Sequence, residues 1–150
     1  MTATARSLSS DDLSFAAARL SGLAISHPDW VHAGLIRSGL RARWQALFQN
    51  VDVVISPPMP TPAFPHDHSL QRTRQLDIDG EKVPYLDEGV WAGIATLNGI
   101  PATTMPIAHE GNLPIGVQII GGFLDDNTTI AFAGMIEREF GGFTPPPGYA

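Results

Sequence analysis

The sequence predicts an α/β fold, and three observations carry that expectation. Apolar residues recur at helical spacing in several stretches. Between them lie short β-branched runs at 51–56, 102–108 and 114–121. Pro and Gly punctuate the joins, so the two periods alternate along the chain instead of segregating.

Each element follows from its own residues. Ser9, Ser10 and Asp11 precede an apolar-periodic stretch from Leu13 to Leu23, and any of the three suits a helix N-cap there. Pro28 suits the first turn of a second helix, expected over about 28–49. Its apolar side holds Ile36, Leu40, Trp44, Leu47 and Phe48, while Arg37, Arg41 and Gln45 fall elsewhere on the same helix. VDVVIS, residues 51–56, is short and β-branched and stops at Pro57, the composition of a buried strand. PPMPTPAFP is neither helix nor central strand, because its prolines have no N–H to donate, so an ordered extended loop is expected. Asp79-Gly80 between LDI and KVPY predicts a hairpin.

From Tyr85 to Asn98 a loop leads into a helix whose small residues, Ala92, Gly93 and Ala95, permit close packing. A strand over 102–108, a turn over 109–112 and a strand over 114–121 come next. Ile115, Val117 and Ile119 share one face of the last strand, and Ile120 shares the other with Gly116 and Gln118, a pattern of burial on both sides. Asp125 and Asp126 cap a last helix over about 127–140, and GGFTPPPGYA ends the chain as coil.

The totals exclude several classes. A chain of 150 residues suits one domain with its own core, and 43% apolar with 16% charged residues is a globular composition. So few charges leave much apolar or neutral surface, as core or as interface. With a net charge of −6 and one lysine, Lys82, no nucleic-acid partner is expected. The absence of cysteine excludes disulfides and thiolate metal sites. No apolar run reaches the ~18 residues of a membrane span, and the first residues do not read as a signal peptide. A cytoplasmic protein with no membrane partner and no cofactor is the expectation.

The residues with visible chemistry do not assemble into a catalytic set. His66, Asp67 and His68 put two imidazoles on one side of an extended segment, but no nearby residue completes a metal site. Ser56 with His66 and Asp67 lacks the G-x-S-x-G elbow of a serine nucleophile. Lys82 follows a DG turn and reads as a solvated hairpin lysine, and Arg37, Arg41 and Arg43 read as a solvated helix flank. No catalytic residue is assigned.

What is specific lies in the loops and strands. A D-V-V-I strand runs into P-x-x-P-T-P-A between Asp52 and Ala63. L-N-G-I-P-A, from Leu97 to Ala102, precedes a strand reaching Met105-Pro106. G-x-L-P-I-G-V-Q-I-I-G spans Gly111 to Gly121, ahead of Asp125-Asp126. Together these resemble the C-terminal part of the amidase signature family, over roughly residues 8–140, with 141–150 as a tail. The resemblance implies one incomplete amidase C-terminal domain, built on a large mixed β-sheet flanked by helices. It implies hydrolysis of carboxamide C–N bonds through an acyl-serine, using a lysine and two serines in a Gly/Ser-rich segment that these 150 residues do not contain. Alone, the chain is expected to be inactive and to supply sheet scaffold and one wall of the substrate pocket. By resemblance, Met59, Pro60, Thr61, Trp91, Ala92 and Thr96 form that wall. The implied partners are an N-terminal amidase portion or a second copy, with a small amide substrate only in the complete enzyme. The alternatives are one part of a split amidase or ammonia-transferring amidotransferase, or a non-catalytic binding module.

Overall fold

A computed structural model describes residues 15–146, 148 and 149. The proposed capping residues Ser9, Ser10 and Asp11 lie outside the described residues. The chain divides into two compact units, Met1–Gly39 and Leu40–Ala150.

The first unit holds α1 (Phe15–Leu23) and the larger part of α2 (His27–Leu47). Ser26 begins α2 as a reciprocal cap. Its Oγ accepts a bond from the Asp29 N–H (3.2 Å) and donates to the Asp29 carboxylate (2.6 Å). Pro28 lies in the first turn, where its missing N–H costs nothing. No residue of α2 is buried, and Trp30, Leu35 and Ile36 are exposed.

The second unit is built on a three-stranded antiparallel sheet. It contains β1 (Val54–Ser56), β4 (Ala102–Glu110) and β5 (Leu113–Ile120), in the order β1-β5-β4. The hairpin of β2 (Gln75–Ile78) and β3 (Glu81–Pro84) forms a separate ribbon. Asp79 and Gly80 both have positive φ, 54° and 85°, the backbone that a two-residue hairpin turn requires. α3 (Val90–Asn98) follows a short 3-10 turn over 85–89, and α4 (Asp126–Phe140) closes the unit.

β5 is the centre of the packing. Alternation along the strand sends Ile119 and Ile120 to opposite faces, and both have 0% exposure. Ile120 packs with Ala95 of α3, Ile100 and Val54, joined by Trp44 and Phe48 from the end of α2 and the residue after it. Ile119 lies opposite Ile55 and Thr103, and α4 covers that side, with Thr103 Oγ1 2.8 Å from Thr129 Oγ1. The two-sided apolar pattern of β5 is thus the pattern of a strand between helices.

Boundaries differ from expectation for local reasons. β1 spans only Val54–Ser56 instead of 51–56, because its partner β5 ends at Ile120, opposite Val54. β4 runs on to Glu110, because the turn is short and Gly111 takes a positive φ of 58°. Pro106 is tolerated because β4 is an edge strand with a bulge between Pro106 and Ala108. Of the expected inner face of α2 and the residues after it, Leu40, Trp44 and Phe48 are half-buried, whereas Ile36 and Leu47 are exposed.

The joint after β5 leaves no room for a side chain. Gly121 donates to the Pro101 carbonyl at 3.0 Å, and a Cβ on it would sit 2.5 Å from Thr129 Cγ2. Thr129 is 1% exposed and also bonds the Asp126 carbonyl. Gly121→Ala is therefore expected to cost about 1–3 kcal/mol. Thr129→Ser removes the obstructing methyl and keeps the hydroxyl, so the double variant should lose less than the sum of the singles in urea melts. Strict additivity would show that the contact does not decide the cost.

Candidate functional site

A cleft of about 640 Å³ opens within the second unit. Its walls are the loop 57–64, Ile78 at the end of β2 with the turn residue Asp79, Trp91 of α3, and residues 114–116 at the start of β5. The loop is proline-rich, so it makes no ladder and stays extended beside the sheet. Gly116 suits a tight approach to the neighbouring strand, because a Cβ there would stand 3.1 Å from the Met105 carbonyl oxygen, while at 3.9 Å it would only touch Pro58 Cγ of the loop. Further along, Phe64 meets Tyr85 edge-on at 6.0 Å, and the Arg74 guanidinium lies 5.4 Å from the Tyr85 ring centroid. Arg74 also donates to the Ser69 carbonyl through Nε (3.0 Å) and Nη2 (2.7 Å), a local bond across the turn that precedes the hairpin.

Trp91 is held through its backbone. Gln118 is buried on β5, and its Nε2 donates to the Trp91 carbonyl (3.1 Å) and to Ser56 Oγ (3.2 Å). One amide thus joins a central strand, an edge strand and the first turn of α3. Gln118 is the polar residue in G-V-Q-I-I, and a buried amide in an apolar strand needs such partners. Its partners are distant in sequence, so its role was not readable. Arg41 departs from the solvated flank expected of it. Its Nε donates to the Asn98 carbonyl at 2.7 Å, and its guanidinium carbon lies 4.4 Å from the Phe123 ring centroid.

Of the residues proposed for the pocket wall, Met59, Pro60, Thr61 and Trp91 line the cleft. Ala92 and Thr96 lie on α3 outside the lining, exposed, with Thr96 Oγ1 donating to the Ala92 carbonyl at 3.2 Å. Thr61 Oγ1 is shut off from solvent and has no hydrogen-bond partner.

The other chemistry-bearing residues do not converge. Ser56 is buried as a partner of Gln118. His66 and His68 stack with ring centroids 6.2 Å apart, and among the described residues no group of three His, Cys, Asp or Glu is placed to hold a metal. Asp67 accepts from the Ser69 N–H at 2.8 Å, which holds its carboxyl below the usual range. Lys82 pairs with Asp77 at 3.0 Å across the hairpin, both exposed.

The hydrogen bond and charge of Lys82, with the Gly80 N–H, lower the Asp77 pKa. A depressed carboxyl contributes stability above its unfolded pKa and loses it as pH falls through the folded value. Acidification should therefore move the Gly80 amide resonance with a midpoint below that of an ordinary carboxylate. An unshifted midpoint would show the pair to be absent in solution.

Among the described residues no helix is long and apolar enough to cross a membrane. The family model described as Amidase matches residues 13–130. The chain is 33% identical over 119 residues to a glutamyl-tRNA(Gln) amidotransferase subunit from Zymomonas mobilis, covering 79% of this chain and 22% of the relative. It is 32% identical over 120 residues to an indoleacetamide hydrolase of Bradyrhizobium diazoefficiens, covering 75% of this chain and 20% of that relative. The chain thus spans about a fifth of the length of these curated relatives. In fold it resembles a crystal structure of an amidase, with a TM-score of 0.68 at 24% identity, covering 81% of this chain and 27% of that one.

Proposed function

Since the chain belongs to the amidase signature family, we propose that it supplies the C-terminal part of an amide-cleaving fold, with the sheet as scaffold and the cleft as one wall of the acyl pocket. The observation that supports this is the cleft itself. It is lined by two of the three segments that carry the family resemblance, the P-x-x-P-T-P-A loop and the strand beginning L-P-I-G, together with Trp91. Met59, Pro60, Thr61 and Trp91 are the residues proposed to touch the acyl group. Ala92 and Thr96 enter only through the helix that carries Trp91.

In the proposed complete enzyme a serine outside these 150 residues attacks the carboxamide carbonyl. Ammonia leaves as the acyl-serine ester forms, and water then releases the acid and regenerates the hydroxyl. The chain contributes positioning to that sequence and no reacting group. One part of a split amidase or of an amidotransferase is the second reading, supported by the likeness to the Zymomonas amidotransferase subunit. In the amidotransferase case, the ammonia passes to a further acceptor instead of to solvent. A cytoplasmic setting is part of the same proposal.

The test is an ammonia-release assay on the 150-residue chain, alone and mixed with a polypeptide carrying the Gly/Ser-rich segment of an amidase. Background turnover alone and turnover on mixing are expected. Turnover by the chain alone that survives stringent purification and disappears with Ser56→Ala would overturn the proposal, because Ser56 would then be a nucleophile and not a hydrogen-bond partner of Gln118.

A further inference from the structure

The composition of the cleft wall restricts what it can hold. Among its lining residues are five prolines, at 57, 58, 60, 62 and 114, and none has a backbone N–H to offer. No lysine, arginine or histidine lines it, and its one ionisable side chain is Asp79. The hydroxyl of Thr61 is out of solvent's reach, so it cannot serve a ligand as the wall stands. Most of what remains is apolar and aromatic surface from Met59, Phe64, Trp91 and Ile115, beside the backbone groups of the residues that are not proline. A volume of about 640 Å³ is that of a small-molecule site.

We infer that the acyl group accepted by this cleft is neutral, apolar and ring-bearing, and that acyl groups carrying a second, remote carboxylate are refused. The inference rests on the reading of the cleft as an acyl wall. A remote carboxylate entering here would lose water and find no cationic side chain and a backbone thinned of N–H donors by five prolines, and the Asp79 charge would oppose it. A ring meets the flat faces of proline and tryptophan and releases water on both sides.

Methyl-detected NMR titration of the 150-residue chain tests this, with Met59 and Ile115 as reporters. The probes are phenylacetamide, glutaramate and L-glutamine. Phenylacetamide is expected to shift both methyls with a Kd at least tenfold lower than either carboxylate-bearing amide. Met59→Lys places a cation on the exposed loop, so Ile115 alone reports there. That variant should narrow the gap between phenylacetamide and glutaramate by about tenfold. Glutaramate or glutamine binding as tightly as phenylacetamide overturns the substrate class and leaves the wall reading standing. If no probe shifts either methyl, the wall reading itself fails and the inference with it. An unchanged preference in Met59→Lys rejects the electrostatic reason given for it.

Discussion

Across a concentration series, light scattering from the isolated 150-residue chain should report growing mass, and an apolar dye should bind strongly. The second unit leaves Ile55 (52% exposed), Ile107 and Phe140 (76% exposed) uncovered, and with Val117 and Ile136 they line an apolar groove of about 300 Å³. Alongside it β1 pairs only with β5, so among the described residues its outer edge has no partner strand. Covering apolar surface stabilises by roughly 25 cal/mol per Å². A few hundred Å² therefore amounts to several kcal/mol, a large share of the ~5–15 kcal/mol that holds an ordinary domain together. A polypeptide supplying the rest of an amidase fold should compete with self-association and raise the melting temperature. A compact monomer at high concentration, with weak dye binding and no affinity for that polypeptide, would show the surface to be self-sufficient.

The second large effect is expected at the centre of the sheet. Ile120→Ala removes atoms from a side chain with no exposure, in a cluster whose other buried members among the described residues are Ala95 and Ile100. Replacements of this kind cost about 2–5 kcal/mol, depending on how far the neighbours close the cavity. In so small a core the loss should abolish a cooperative thermal transition followed by circular dichroism. Leu70→Ala, on an exposed loop residue, should change stability by no more than ~0.5 kcal/mol. Equal effects at the two positions would mean that Ile120 is not where the packing energy resides.

Elements set by local pattern were legible in the sequence. The period of α2, the Asp79-Gly80 turn and the alternation of β5 all depend on neighbours a few residues away, and the structure places them close to where the sequence did. The three-residue length of β1 was not legible, because it is set by where β5 ends some 65 residues later. The site divides in the same way. The proline loop could be named from its motif and Trp91 from the family resemblance, but the bonds from Gln118 to Ser56 and Trp91 span separations of 62 and 27 residues. The same holds for Arg41, whose partners Asn98 and Phe123 come from other parts of the chain, so its own stretch shows only a helix flank.

The proline loop has a consequence in entropy. Five prolines between 57 and 65 fix φ near −65° at more than half of those positions, in the unfolded chain as well as the folded one. The segment therefore has little freedom to surrender when it is laid against the sheet. The same holds when a ligand arrives, because a wall already in shape spends little of the contact energy on its own ordering. Rigidity here resides in the covalent rings and not in a network of hydrogen bonds. This face of the cleft can thus keep its form even where nothing opposite presses on it.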